Sequence, residues 1–499
     1  MNFEVLFIEK NIFLTFIVFL QINTTCKLMK QPINNFIYLV FLIGLLSTFQ
    51  SCKKDTLFSS SNITFSSDTL VFDTVFKTDK ALKDLFKGSG VQQVKIYNPD
   101  GNPLNLDEIE LMGGTDSPFR LNLDGISGKK FTNKKIGGND SLFMFIDIQL
   151  NVFKNPSQNP IIRDSIRVKT NGKNQYLQLL TWGQDAYFHH KEIIKNSTEW
   201  KNDKPHVIIG YAIVDTSAVL DVQQGCKIHL YNNSLLYVRR GALNMNGTVN
   251  NKIIVQGTRS ETSYQKISGQ YYGIYFHEAL PSKINHSHIK NGTSAIQIYS
   301  RNENSSLATL TIENTVIENN ARYGVFCFAN PIIILNNTLL FKNQLYSFFV
   351  LQGADFSINH SNILGYGPSS KDNTAFALKN YYTNPDDQLT YISPLNGTVK
   401  NTVIYGYKPS EYVIDTLQND GIKNNIKLQN CHIKLENPFT NKAVSFNTDP
   451  NFINVNQNNF RFNSSSPLNN KGIPSSNKAD IDGKLRSIAS PDIGVYEID

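Results

Sequence analysis

Six segments of the chain repeat one arrangement of polar and apolar positions: Asn285-His286-Ser287-His288-Ile289, Glu313-Asn314-Thr315-Val316-Ile317, Asn336-Asn337-Thr338-Leu339-Leu340, Asn359-His360-Ser361-Asn362-Ile363, Lys400-Asn401-Thr402-Val403-Ile404 and Gln429-Asn430-Cys431-His432-Ile433. Each reads Asn or His, then Ser, Thr or Cys, then any residue, then Ile or Leu. The aliphatic residues Ile289, Ile317, Leu340, Ile363, Ile404 and Ile433 lie 28, 23, 23, 41 and 29 residues apart. A base period of 23 with insertions is the arithmetic of a solenoid.

Stacked parallel coils explain each position. Strands of successive coils lie about 4.8 Å apart, so equivalent side chains form ladders along the axis. The aliphatic residue and the Ser, Thr or Cys two positions earlier share a face by the period-2 rule, and that face points inward. Small hydroxyls can pass hydrogen bonds along such a stack, and Cys431 fits the same slot as a core thiol. Asn carries both donor and acceptor, so it can bond to the coils on either side. Upstream, short runs bounded by Gly or Asn (207–210, 218–222, 225–230, 235–238, 241–243 and 253–255) read as the first coils. The predicted architecture is a right-handed parallel β-helix over 204–450.

From 63 to 190 the pattern differs. Apolar-rich runs at 69–76, 92–97, 142–150, 164–170 and 176–181 alternate with turn clusters at Asn98-Pro99-Asp100-Gly101 and Gly137-Gly138-Asn139-Asp140. This is the reading of an all-β sandwich. The whole fold class is therefore all-β, an immunoglobulin-like β-sandwich followed by the β-helix.

Four resemblances add to this. Met29-Lys30, the apolar stretch 36–49 and Gln50-Ser51-Cys52 resemble the lipoprotein signal peptides of Gram-negative bacteria, with Gln50 departing from the strict lipobox. The resemblance implies a signal peptide at 1–51 with its start at Met29, Cys52 as the lipidated first residue, and a tether over 52–62. The stretch 36–49 is shorter than the roughly 20 residues that span a bilayer; an uncleaved membrane anchor is the alternative. Asn98, Leu104, Leu106, Ile109 and Phe119 follow an order that resembles ASH-type immunoglobulin-like domains, which serve as spacers or adhesion modules. Gly269 to Phe276, with Tyr272 where Trp is usual, resembles a run near the start of bacterial β-helix proteins of the pectin-lyase-like kind. Finally, Asp449-Pro450-Asn451-Phe452, Ser466-Pro467-Leu468, Gly472, Asp480-Ile481-Asp482-Gly483, Arg486 and Pro491-Asp492-Ile493-Gly494-Val495-Tyr496-Glu497 resemble the tail of the choice-of-anchor Q family. That tail, 451–499, is expected to cap the open sheet edge of the last coil.

Charge and cysteines narrow the chemistry. A net charge of +7 over 499 residues, with no concentrated basic run, is not a nucleic-acid footprint. Cys26, Cys52, Cys226, Cys327 and Cys431 form no CxxC or zinc-type spacing, so no thiolate metal site is expected. β-Helices also host pectate lyases, polygalacturonases and uronate epimerases, whose sites need clustered carboxylates, or calcium with an Arg or Lys base. The acidic residues of the repeat do not recur at one coil position, and the polygalacturonase set is missing, so no catalytic residues are assigned.

One local cluster stands out. Asp386-Asp387 lies in the 41-residue coil, flanked by Tyr381, Tyr382 and Tyr391. The rings can stack on sugars and the carboxylates can orient hydroxyls or help hold calcium; the alternative is a solvated Asn-Pro-Asp-Asp turn. His189-His190 reads as surface rather than metal ligand. No other cofactor is called for. Three functions are carried forward: an outer-membrane lipoprotein, on the periplasmic or cell-surface side, that binds polysaccharide or an envelope protein; a polysaccharide-active lyase or hydrolase; and a structural envelope component.

Overall fold

The computed structural model describes residues 59–498 except 79–80, 83–84, 87–89, 151–159, 260, 262, 302–306, 368–373 and 419–420. Cys26, the signal segment, Cys52 and most of the tether therefore lie outside the described residues.

Two five-stranded sheets make the N-terminal sandwich. One runs in the order Thr64–Phe65, Gln92–Tyr97, Ser141–Ile148, Phe119–Leu123, Ile126–Gly128, and the other Thr69–Phe76, Lys173–Gln184, Ile161–Thr170, Leu104–Leu111, Lys130–Ile136. Their alternating inward residues, among them Val94, Ile96, Met144 and Ile146 from the first and Leu104, Leu106, Ile166 and Val168 from the second, form one core. The two turns singled out in the sequence meet at buried Asn98, whose Nδ2 donates to the carbonyls of Asn102 and Gly137, both at 2.8 Å.

Beyond it the chain winds into a right-handed parallel β-helix with three faces. The first face holds Thr198–Trp200, Val219–Val222, Ala242–Asn246, Ser282–Asn285, Leu310–Glu313, Ile332–Asn336, Ala354–Asn359, Leu395–Lys400 and Asn425–Gln429. The second runs from Lys227–Leu230 through Ile253–Gly257, Ser287–Lys290, Val316–Glu318, Leu339–Phe341, Asn362–Gly365, Val403–Gly406 and Cys431–Ile433 to Val444–Phe446. The third stacks Leu235–Arg239, Gly273–His277, Ser294–Tyr299, Tyr323–Phe328, Tyr346–Leu351, Phe376–Lys379 and Tyr412–Asp415.

The six-fold template is the corner between the first and second faces. Its first residue turns the chain in the left-handed region, with φ of 43° to 50° at His286, Asn314, Asn337, His360, Asn401 and Asn430. Asn and His are tolerated there better than most side chains. The amides also bond along the stack: Asn337 Nδ2 donates to Asn314 Oδ1 at 3.0 Å, and Asn314 Nδ2 to Asn285 Oδ1 at 2.9 Å. Ser287, Thr315, Thr338, Ser361, Thr402 and Cys431 are buried one position on, followed by the fully buried ladder Ile289, Ile317, Leu340, Ile363, Ile404 and Ile433. Each hydroxyl in that slot donates to the carbonyl two residues back, as Thr402 Oγ1 does to Lys400 at 2.7 Å.

Two boundaries differ from expectation. The first coil starts at Tyr187–Ile194, which pairs in parallel with His206–Val214, and not near 204. A last sandwich strand and a first helix strand alternate alike, and only the parallel partner tells them apart. The tail is the second correction. Instead of closing the last coil, it lies along the outside of the second face, where Phe460, Phe462, Leu468, Ile481, Ile493, Val495 and Tyr496 cover Leu339, Phe341, Leu364, Tyr366, Val403 and Tyr405. Those strands are apolar on both sides and need a cover on both.

The corner asparagines hold the tail by its backbone. Asn401 Nδ2 donates to Ile473 O at 2.8 Å while its Oδ1 accepts from Ile473 N at 2.9 Å; Asn337 Nδ2 donates to Ala479 O at 2.7 Å, and Asn430 Nδ2 to Lys471 O at 2.8 Å. Asn362 Oδ1 accepts from Val495 N at 3.2 Å. Gly494, at φ +101°, passes so close that a Cβ would sit 2.4 Å from that amide oxygen. Within the tail, buried Arg486 bridges Glu497 Oε2 (3.2 Å), Asn337 Oδ1 (3.0 Å) and the carbonyl of Gly494 (2.9 Å).

Candidate functional site

Outward positions on the third face carry a strip of rings. The parallel register puts Tyr237, Tyr275, Gln297, Phe326 and Phe349 on one ladder, and Arg239, His277, Tyr299, Phe328 and Leu351 on the next. Tyr237 stacks on Tyr275 with centroids 5.3 Å apart, Tyr275 on His277 at 5.9 Å, His277 meets Tyr299 edge-on at 5.0 Å, and Tyr299 meets Phe328 at 5.6 Å. Farther along, Phe326 stacks on Phe349 at 5.4 Å, flanked by Tyr323 (4.9 Å from Phe326) and Tyr346 (4.7 Å from Phe349). All are half-buried: each packs on its neighbour and leaves part of its surface to solvent. Such stacking stabilises the coils by about 0.5–1.5 kcal/mol per pair.

The tyrosines expected in the long coil adjoin this strip. Tyr381–Thr383 and Thr390–Ile392 form an antiparallel hairpin that pairs Tyr382 with Tyr391, and the Tyr382 ring meets Phe328 edge-on at 5.1 Å. Tyr381 donates to Asp415 Oδ2 at 2.9 Å and lies under the Lys379 ammonium, 3.9 Å from its centroid. The acidic pair occupies the exposed hairpin turn: Asp387 Oδ1 accepts from Leu389 N at 3.0 Å, and Asp386 N donates to Asn384 Oδ1 at 3.1 Å. Asp387 thus satisfies its own turn through one carboxylate oxygen.

Carboxylates beside the strip are matched to cations. Asp215 pairs with Arg239 at 2.9 Å, Glu278 with Arg240 at 3.3 Å and Asp415 with Lys379 at 3.2 Å. Tyr237 and His277 form the one short polar contact on the strip, hydroxyl to Nδ1 at 2.5 Å. Burial pushes the His277 imidazolium down and the Tyr237 phenol up, so both are held neutral. Glu411, raised to about 7 by burial, is sealed within the corner, accepting from Ala375 N (2.7 Å) and Lys408 N (2.8 Å). Among the described residues, no group of three or more His, Cys, Asp or Glu side chains is arranged to hold a metal.

His189 is not a surface residue. Its ring is buried, stacked 4.3 Å from Trp200, with Nε2 3.0 Å from His206 Nδ1 and Nδ1 against Glu192. Burial holds His206 down to about 4. Cys226, Cys327 and Cys431 are free and buried, and burial raises Cys431 to about 12 while its Sγ sits 3.2 Å from Val399 O, a core thiol and not a nucleophile.

A family model described as a right handed beta helix region matches residues 193–363. No curated protein matches the chain by sequence. Among solved structures, pectate lyase Pel9A is 13% identical with a TM-score of 0.28, covering 64% of this chain and 88% of its own. The catalytic domain of Agl-KA is 12% identical with a TM-score of 0.29, covering 78% and 85%. A family 123 glycoside hydrolase from Clostridium perfringens is 10% identical with a TM-score of 0.16, and the match covers 26% of this chain and only 30% of that one.

Proposed function

We propose that the chain is an envelope lipoprotein, anchored to the outer membrane through Cys52, that binds polysaccharide along the third face of its β-helix. The observation that carries this reading is the continuous strip from Tyr237 through Phe328 to Tyr382, joined by the Phe326 and Phe349 cluster. Ring faces spaced along a rigid axis suit the apolar faces of successive sugars, and rings already packed on one another lose little freedom on binding. The sandwich at 63–190 serves as a spacer in this reading, and Tyr381, Tyr382 and Tyr391 border the site while Asp386 and Asp387 line its rim.

The test is a glycan array with the full-length chain in detergent, followed by affinity measurements on Phe349→Ala and Tyr382→Ala. Loss of one stacking face is expected to weaken binding about tenfold, equivalent to roughly 1.4 kcal/mol. Wild-type affinity in both variants would count against the third face.

A second reading, a polysaccharide-active enzyme, rests on the Tyr237 and His277 contact with Arg239 alongside. A neutral phenol and imidazole in hydrogen-bond reach can relay a proton. Product formation from the glycan found on the array, abolished in His277→Ala, would support it; an unaltered glycan after prolonged incubation would leave binding alone.

A further inference from the structure

The outer side of the first face changes character along the axis. In the earlier coils its polar residues pair with one another: Asn244 Nδ2 donates to Asp221 Oδ1 at 2.9 Å, and Lys283 meets Glu313 at 2.7 Å. From the coil of Ile332–Asn336 onward such pairing is confined to the corner end of the strands, where Asn336 Nδ2 donates to Glu313 Oε1 at 3.5 Å and Asn401 Nδ2 to Asn359 Oδ1 at 3.3 Å. The register aligns Ile332, Asp355, Asn396 and Asn425 on one ladder and Ile334, Ser357, Thr398 and Lys427 on its neighbour. Together these eight side chains line a shallow groove of about 430 Å³, within the range of small-ligand sites.

We propose that this groove is a second binding site, separate from the third face, for a neutral saccharide. The lining sets the chemistry. Ile332 and Ile334 offer an apolar shelf at one end, while the amides of Asn396 and Asn425, the hydroxyls of Ser357 and Thr398, the Asp355 carboxylate and the Lys427 ammonium supply donors and acceptors in steps of about 4.8 Å. Sugar hydroxyls both donate and accept, and a ring has an apolar C–H face for the shelf. An anionic chain would meet Asp355, and a nucleic acid would find one cation, Lys427, among the lining residues. Along most of its length the groove offers a peptide strand no free backbone edge, because the strands before Asn425–Gln429 pair with coils on both sides; only that terminal strand has an unpaired edge.

The proposal rests on the groove and not on the aromatic strip, so the experiment separates them. Cellohexaose, laminarihexaose and maltohexaose are titrated calorimetrically into the full-length chain in detergent, into Asp355→Ala and Asn396→Ala, and into the third-face variant Phe349→Ala. All three side chains are partly exposed, and melting curves check that each variant folds. At least one hexaose is expected to show a binding component that weakens tenfold or more in Asp355→Ala and Asn396→Ala and that persists in Phe349→Ala, where only a third-face component weakens. Binding lost only in Phe349→Ala, wild-type affinity in Asp355→Ala, or no binding of any of the three would overturn the groove as a saccharide site.

Discussion

Replacing Arg486 by methionine removes the one cation buried in the tail while keeping most of its volume. The guanidinium's bonds to Glu497 Oε2, Asn337 Oδ1 and the Gly494 carbonyl go with it. Glu497 is left buried and charged, close to the buried carboxylates of Asp480 and Asp492. Breaking a buried pair on one side costs about 3–5 kcal/mol. The tail as a whole should not come off, because its apolar contacts cover six outward side chains of the second face and each such side chain contributes about 1.5–3 kcal/mol. The loss should appear as local opening. Amide hydrogen exchange in 470–498 is expected to accelerate by two to three powers of ten in Arg486→Met, while the amides of the coil strands keep their protection. Exchange within a factor of three of wild type at pH 7.5 would refute this account of how the tail is held.

Three shorter predictions follow from the same structure. Ile317→Asp places a carboxylate in the middle of the fully buried ladder, at a cost of several kcal/mol or more, and the β-helix should lose its protease resistance; a soluble variant digested at the wild-type rate would contradict the ladder. Burial holds His206 and His229 down to about 4 and His360 to about 3, against an unfolded value of about 6.5. The unfolded chain therefore takes up more protons as the pH drops from 6.5 to 4, and stability should fall by on the order of 2 kcal/mol per histidine by pH 5, read as a lower urea midpoint; equal midpoints at pH 7 and 5 would contradict it. Cys52→Ala should release the protein from the membrane fraction or leave it unprocessed, and unchanged pelleting with no mass shift would remove the lipid anchor from the proposal.

What could be seen in the chain beforehand was whatever recurs within one coil. The corner template repeats within five residues, so the αL turn, the small buried slot and the Ile or Leu ladder all show in sequence. The aromatic strip does not, because Tyr237, Tyr275, Phe326 and Phe349 come from coils of different length and meet only once the register is set. Tyr382 was visible because the hairpin carries its neighbours with it, whereas its partner Phe328 lies 54 residues earlier. The path of the tail did have a signal. Leu339-Leu340-Phe341, Ile363-Leu364-Gly365-Tyr366 and Val403-Ile404-Tyr405 are unbroken apolar runs, where a strand open to solvent on one side would alternate.

Solenoids commonly gain or lose whole repeats, since each coil needs only its neighbours. This one is gauged. The tail reads Asn337, Asn362, Asn401 and Asn430, one corner or near-corner amide from each of four successive coils, and its own backbone fixes the distances between them. Removing or duplicating one coil within that stretch would displace every later contact by one step of about 4.8 Å, so the number of coils there is locked by a segment that belongs to none of them. The same dependence orders assembly: the tail has no matching surface until all four coils are stacked, which makes its docking a late, long-range step and a check that winding is complete.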